Sequence, residues 1–497
     1  MASKSRNSKA KFIAMRHIFR PLLPLFVLAA ASALAVGIRP AQGADLQPAA
    51  GAAAQPAALS AGAPQAAGGE RQFSLAEAIR TALANNDELK AFKSSVAAGK
   101  EDIGIARSSL QPKVTLEERA LQTNNPGYGL MIKMNQKQFS AQDLAGAPGT
   151  FNYPGTLTDY QTTLSFEQPL YLKKAAVAVT MAKKEQMAKA ADFRRRQQEV
   201  ALNVVQAYLA VHTAAEYVKV AEMGLEDARE HLRIAQARYK SGLGLYSDTL
   251  RAATAVTDAE QRLVTARKDL NVAKRQLGLT LGLSAPAGIM DSLPEPSALA
   301  GIEHYRQAAL NRPDIAALET RLDIARDNVA LARADSLPML GIGASYQLND
   351  HQHPFGAEGE SWQVAAFLRW DVFDGTKTAR ASDKARLEAQ EAADRLAGYK
   401  KKVLFDVDNA FDAVDEAAKN VDLAKASLAS AAEGKRLVET RYANSLSPIV
   451  DMLDAQVNYD NARARLVARE NAYLLALANL GFASGTILSD FGITDAN

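Results

Sequence analysis

The spacing of apolar residues along this 497-residue chain changes from helical to strand-like and back, and does so twice in the same order. Helical spacing comes first, over 73–110 (FSLAEAIRTALANNDELKAFKSSVAAGKEDIGIARSSL) and again over 311–337 (NRPDIAALETRLDIARDNVALARADSL), where Pro313 suits a first turn. The period then drops to two. In MLGIGASYQL, Leu340, Ile342, Ala344, Tyr346 and Leu348 alternate with Gly341, Gly343, Ser345 and Gln347. In SWQVAAFLRWDVF, Trp362, Val364, Ala366, Leu368, Trp370 and Val372 oppose Ser361, Gln363, Arg369 and Asp371. The earlier pair is fainter, with Val114, Leu116 and Ala120 in one strand and Tyr160, Thr162, Leu164, Phe166 and Leu170 in the other. The pattern predicts four strands of about ten residues, near 113–122, 160–171, 339–348 and 361–373, each with one apolar face. From Pro112 to Leu170 is 58 residues and from Pro338 to Val372 is 34, so the first hairpin carries 24 more. The excess, rich in Asn, Gly and Pro, reads as a surface loop over 121–159.

Helical spacing resumes over 172–241 and 374–444 without a proline, and at about 1.5 Å per residue each stretch would reach about 105 Å. No globular domain is that wide. Each long helix ends at a short irregular stretch, and a second helix returns over 247–281 and 448–482. The tips of these antiparallel hairpins, 241–248 and 444–449, lie farthest from the strands. Ser447-Pro448 reads as a helix start, the hydroxyl accepting from an orphan N–H and the proline presetting the first turn. The duplication shows in identities too. Residues 238–282 and 441–485 align without gaps at an offset of 203, with 14 identities in 45 positions. An offset of 226 pairs Asn85 with Asn311, Arg107 with Arg333 and Pro112 with Pro338. The chain is thus read as mainly α with a minority of β. It forms two tandem repeats of helix, β-hairpin, very long helix and return helix, 73–285 and 301–485, joined by a linker over 286–300 and followed by a tail over 486–497.

Composition adds exclusions. There is no cysteine, which removes disulfides, thiolate metal sites, cysteine nucleophiles and an amino-terminal lipidated cysteine. The formal charge of +3 arises from the first 43 residues, which hold seven Lys and Arg and no acid; the remainder has 51 basic against 55 acidic residues. Such a body offers no electrostatic case for nucleic acid. The opening segment, 1–43, is laid out as a secretory signal peptide: a basic start, an apolar run over 21–38, then Ala41 and Gly43 fitting a cleavage site. Residues 44–72, dominated by Ala, Gln, Pro and Gly, read as a disordered tail.

Beyond the opening segment no apolar run approaches spanning length, so a membrane-bound form must cross with strands. Four strands cannot close a barrel, since single-chain membrane barrels have at least about eight, and open edges are not viable in lipid. The chain either shares a barrel with copies of itself or uses its strands as a soluble sheet. The export signal, the polar alternate faces, and Trp362, Trp370, Tyr160 and Tyr171 toward strand ends favour the shared barrel.

With NRPDI at 311–315, strand-to-helix transitions at QPLY (168–171) and VFDG (372–375), and tips of the form RY…VD.LDA, the duplicated order closely resembles the TolC family of outer-membrane channel proteins over about 73–485. The resemblance implies a homotrimer whose twelve strands form one barrel in outer-membrane lipid, continued by a periplasmic α-helical tunnel. It also implies a passive exit duct for a tripartite efflux pump or type I secretion system, engaging a periplasmic adaptor and an inner-membrane transporter. Asp451 and Asp454 match the family's constricting carboxylate ring, a cation-favouring arrangement. Tyr442 matches a tyrosine that ties coils shut, and Asp248 with Ser247 matches its partners in the other copy. Gly242, Leu243, Gly244, Leu245, Ser445, Leu446, Ser447 and Pro448 occupy the tips, where the resemblance places adaptor docking. The sequence departs at Ser447, where an arginine latch is often found.

Outside that resemblance, an Asp pair in a first helical turn is ordinary dipole chemistry. His351-x-His353 lies in a hairpin loop without a nearby carboxylate trio and reads as solvated, so no metal or cofactor is expected. SGLGLYSD precedes no GK[ST] and follows a helix, which argues against phosphate binding. Nothing assembles a catalytic constellation. A periplasmic adaptor would have one helical hairpin flanked by β-rich domains, and a soluble coiled-coil scaffold would need no ten-residue strands with an apolar face.

Overall fold

The computed structural model describes residues 71–146, 149–290 and 299–493; the expected signal peptide and most of the amino-terminal tail lie outside them. The first repeat comprises β1 (Gln72–Phe73), α1 (Leu75–Asn85), α2 (Asp87–Ser108), β2 (Lys113–Thr123), α3 (Pro126–Asn135), α4 (Ala141–Ala145), α5 (Gly149–Asn152), β3 (Leu157–Tyr171), α6 (Lys173–Lys240) and α7 (Tyr246–Thr280). After β4 (Gly288–Ile289) the second comprises α8 (Ile302–Leu310), α9 (Pro313–Ala334), β5 (Met339–Asp350), β6 (Gly359–Arg369), α10 (Lys377–Ala443), α11 (Ile449–Ser484) and α12 (Ile487–Asp490).

Both repeats feed one antiparallel sheet of order β2-β3-β5-β6. Its register carries the sequence alternation across all four strands. One row runs Leu116, Leu164, Tyr346, Trp362 and the next Val114, Phe166, Ala344, Val364, while the opposite face runs Thr115, Ser165, Ser345, Gln363 and Glu117, Thr163, Gln347, Ser361. The apolar rows are open to solvent in the single chain, with Leu116 63%, Trp362 68% and Val364 68% exposed. Strands of 11, 15, 12 and 11 residues match the roughly 9–11 that a tilted strand needs to cross hydrocarbon. Both edges, β2 and β6, are unpaired among the described residues. No helix among the described residues is long and apolar enough to cross a membrane.

The last strand stops at Arg369 rather than continuing to 373. Its partner strand begins at Met339, opposite Arg369, and the residue before it, Pro338, has no N–H to extend the ladder. Beyond the sheet, Trp370 Nε1 donates to Ser336 O at 3.0 Å. Gly375 and Thr376 both take positive φ, 67° and 70°, to swing the chain into α10. The predicted loop between β2 and β3 also differs: over its described part it holds α3, α4 and α5. Asn125 starts α3, its Oδ1 accepting from Gly127 N and Tyr128 N ahead of Pro126. A buried polar knot pins the insertion to the polar face of the sheet, with Gln136 Nε2 and Asn349 Nδ2 both donating to Asp159 at 2.9 Å.

The predicted helix over 73–110 is two helices, because Asn86 leaves helical geometry (ψ 123°) and its Oδ1 accepts from Leu89 N to start α2. The 68-residue α6 and 67-residue α10 are each about 100 Å long at 1.5 Å per residue. They pack antiparallel on α7 and α11, and α9 lies against both α6 and α10. Val403, Val407, Val414 and Val421 mark a near-heptad seam on α10 and are all buried.

The segments flanking the repeats are built into the core. β4, inside the expected linker, pairs parallel with β1. Ile487, Leu488 and Ile493, in the expected carboxyl-terminal tail, pack in one cluster with Phe73, Ile79, Val204 and Leu277. Beside it the NRPD stretch closes the end of α11. Arg312, 6% exposed, donates to Asp314 and to Ala483 O at 2.8 Å. Tyr399 OH donates to Asp314 at 2.7 Å, and Arg195 donates to Phe482 O while its guanidinium lies 3.7 Å from the Phe482 ring centroid. Burial pushes the Asp314 carboxyl up, but hydrogen bonds from Arg312 and Tyr399 hold it below its ordinary value. Burial, with Arg312 nearby, brings the Arg195 guanidinium down to about 10.

Candidate functional site at the helical tips

The two tips are built alike. Each long helix ends with one residue in the left-handed region, Gly242 (φ 75°) or Ser445 (φ 62°). The next N–H reaches back to an arginine carbonyl, Leu243 N to Arg238 O at 2.9 Å and Leu446 N to Arg441 O at 2.8 Å. Gly242 N and Ser445 N likewise donate to Tyr239 O and Tyr442 O, completing a Schellman motif in both copies. Glycine accepts that conformation freely; Ser445 does not. Its hydroxyl is held by Arg238 Nη2 at 2.6 Å, while Arg238 Nη1 donates to Tyr442 O at 2.7 Å and to Ala443 O at 3.3 Å. Arg238, on α6, thereby satisfies open carbonyls at the end of α10 and places a cation at its negative dipole end.

Leu243, Leu245 and Leu446 are exposed at the tips, as are Ser445 and Pro448, whereas Gly244 is half-buried. The Ser447 hydroxyl does not cap α11. It is buried without a hydrogen-bond partner among the described residues, and Pro448 itself takes the cap position with extended geometry (ψ 162°). The proline has no N–H and its side chain no acceptor, so the first turn of α11 starts without a side-chain bond.

Asp451 and Asp454 are exposed on the face of α11 away from buried Met452. They make no hydrogen bond or ion pair among the described residues. Tyr442 is 5% exposed and packs with Ile449, Met452, Ala235 and Ala252. Its ring lies under the Arg238 guanidinium, 4.8 Å from centroid to carbon. Burial raises the Tyr442 phenol above its ordinary value; Arg238 opposes this and the Asp248 carboxylate adds to it. Tyr442 and Asp248 thus come within electrostatic reach in one chain, with no hydrogen bond between their side chains. Asp248 is half-buried in the first turn of α7, and Ser247 beside it is exposed.

Several residues were not anticipated. Arg238 is visible in the sequence as the offset mate of Arg441, but nothing there marks it as the bridge. Two to five turns from the tips, Asp227 of α6 accepts from Lys435 of α10 at 2.7 Å and from Gln456 of α11 at 2.9 Å, and Gln456 also donates to Asp460 at 2.9 Å. Burial raises the Asp460 carboxyl, and the Asp227 charge adds to the shift. Gly224 permits this approach, since a Cβ there would lie 3.0 Å from Asp460 Oδ2. This polar layer crosses three helices, which is how the two hairpins are held in register near the tips. In the β5–β6 hairpin, where no carboxylate trio was expected beside His351-x-His353, two carboxylates gather on the first histidine: His351 Nδ1 lies 2.6 Å from Glu358 Oε2, and Asp350 adjoins it.

Comparison with known proteins agrees with this architecture. The family model described as "Outer membrane efflux protein" matches residues 78–283 and 304–486. The chain is 24% identical to the alkaline protease secretion protein AprF of Pseudomonas aeruginosa over 423 residues, covering 83% of this chain and 84% of that one. It is 23% identical to the outer membrane protein TolC of Escherichia coli K12, covering 83% and 82%. Its fold matches the CmeC outer membrane channel of Campylobacter jejuni with a TM-score of 0.67 at 19% identity, covering 83% and 86% of the two chains. The open-state MtrE channel of Neisseria gonorrhoeae gives 0.67 at 21%, covering 83% and 89%. A family of channels for efflux and secretion, rather than of periplasmic scaffolds, accounts for two hairpins joined to one sheet with an exposed apolar face. The chain belongs to the outer membrane efflux protein family, whose members are TolC-type outer-membrane channels.

Proposed function

We propose that three copies of this chain join their sheets edge to edge, β6 of one to β2 of the next, into a twelve-stranded barrel continued by a tunnel of the long helices. The observation that carries this is the four-strand sheet with a continuous exposed apolar face and two edges unpaired among the described residues, an arrangement that lipid tolerates only when closed. The assembly acts as a passive exit duct rather than an enzyme. Its tips, 242–245 and 445–448, offer exposed leucines to a periplasmic adaptor that links the duct to an inner-membrane transporter. Asp451 and Asp454 from three chains bring six carboxylates to the narrow end, and Tyr442 with Asp248 forms the tie that keeps it closed. The insertion between β2 and β3 lies at the cell-surface mouth.

The test is native mass measurement in detergent combined with planar-bilayer recording. The expected result is a heat-sensitive trimer giving single-channel conductance. Only monomers, or trimers without conductance, would overturn the proposal.

A further inference from the structure

At the hairpin end of the sheet, Asp350, His351 and Glu358 bring three ligand-type atoms within 4.8 Å of one another. Gln138, from the insertion between β2 and β3, reaches into the same place, with Nε2 2.7 Å from His351 Nδ1 and 3.0 Å from Glu358 Oε2. His353 adjoins it, 3.9 Å from Asp350, with its side chain largely exposed.

The hydrogen bonds here conflict. Glu358, 2.6 Å from His351 Nδ1, requires that nitrogen to carry a proton, whereas the Gln138 amide requires its lone pair. Turning the Gln138 carboxamide over would set its oxygen against the Glu358 carboxylate instead. One bond is unsatisfied in either arrangement. The charge is unbalanced as well, because neither Asp350 nor Glu358 pairs with a Lys or Arg among the described residues, and Lys137 sits on Glu360 at 3.8 Å.

We propose that this cluster binds one divalent transition-metal cation of the zinc class. The cation would take the Nδ1 lone pair, the Glu358 and Asp350 carboxylates and the turned Gln138 oxygen, converting each conflicting contact into a ligand. Two carboxylates neutralise its charge, and an imidazole with oxygens and no thiolate suits zinc-like ions. Ligand atoms on a tetrahedral zinc lie about 3.4 Å apart, so a small opening of the His351–Glu358 pair accommodates it. One feature is prearranged and a second needs only an amide rotation. Asp350 is buried and its Oδ1 accepts from Gln352 N at 2.8 Å and His353 N at 2.9 Å; the loop closes over it only because residue 356 is glycine, where a Cβ would lie 2.1 Å from Asp350 Oδ2. The Gln352 amide nitrogen lies 2.7 Å from His351 Nε2; turned over like Gln138, this carboxamide would present its oxygen to accept the Nε2 proton and orient the metal-bound imidazole. Because Gln138 and the remaining ligands come from different hairpins, the cation would staple the insertion to the β5–β6 turn.

The experiment titrates full-length, detergent-solubilised protein, stripped with a chelator, with Zn2+ alone, and follows heat by calorimetry and the insertion by limited proteolysis. One saturable site per chain is expected, with Zn2+ slowing cleavage between 137 and 156. His351→Ala and Glu358→Gln should each weaken binding about tenfold or more and abolish the protection, while the thermal unfolding of the zinc-free variants stays that of the parent. Absence of a stoichiometric site in the parent, or Zn2+ binding unchanged in the double variant, overturns the proposal. Either outcome is independent of the conductance measurement.

Discussion

Arg238 and Tyr442, 204 residues apart, meet twice: the guanidinium donates to the tyrosine's carbonyl at 2.7 Å and also lies over its ring, 4.8 Å from the centroid. One side chain therefore closes the end of α10, stabilises Ser445 in a left-handed conformation and joins the two tips of the chain.

Removing that side chain should loosen the second tip locally. Arg238→Ala forfeits charge-assisted hydrogen bonds and the contact with the ring, a loss of about 1–2 kcal/mol. Amide exchange over 440–447 should then accelerate by about 5–30-fold. Arg238→Lys should recover only part of this, because a point charge cannot span Tyr442 O and Ser445 Oγ as a fork does. Exchange at the parent rate in Arg238→Ala would remove the bridge from the account.

Charge and closure at the proposed entrance should separate. Asp451→Asn with Asp454→Asn removes exposed, unpaired carboxylates and should reduce cation preference and block by multivalent cations. Tyr442→Phe with Asp248→Ala leaves those charges and should raise conductance, since each hydrogen bond of the proposed tie between neighbouring coils would be worth about 0.5–1.5 kcal/mol and recur in three copies. Single-channel recording decides each: unchanged selectivity counts against the Asp pair, unchanged conductance against the tie.

Asp314 pairs with buried Arg312 and, at 3.6 Å, with half-buried Arg195 beside the end of α11, so Asp314→Asn should cost about 3–5 kcal/mol by leaving both cations uncompensated. The pH dependence follows from the depressed carboxyl. Its contribution is fully present above the ordinary carboxylate range and is lost as pH falls through the lowered folded value. Thermal unfolding of parent and variant should therefore converge toward acid; a constant gap would count against the ion cluster as the cause.

Asp460 is the opposite case. Its folded-state carboxyl is raised, so the folded protein binds the proton more tightly and this group stabilises folding increasingly as pH falls through that raised value toward the ordinary one. Asp460→Asn, which keeps the Gln456 contact without the charge, should match or exceed the parent's stability at neutral pH. A large destabilisation there would show that the charge itself is needed between the hairpins.

Whatever repeats at short range could be read from the chain before its fold was known. Alternation in Leu340 to Leu348 and Trp362 to Leu368 is a property of neighbouring residues, so strands, their apolar face and the two proline-free helices were legible, as was the duplication that carries the family resemblance. The local signals that were misread were caps and stops. Asn86 ends one helix and starts another because its own side chain supplies the acceptor; Ser447, one residue too early, supplies none; and β6 stops at Arg369 because its partner strand begins after a proline. Tertiary structure alone decided which distant groups meet. Arg238 reaches Tyr442 and Asp227 reaches Lys435 and Gln456 because α11 packs against both α6 and α10, and Arg312 reaches Ala483 because α8 packs against α11. A hairpin folding back on itself sets Glu358 against His351, and an insertion pinned by Gln136 and Asp159 brings Gln138 to both. Periodicity specifies each element's apolar face but not its azimuth or register against a partner two hundred residues away, and those are settled only when the faces are buried together.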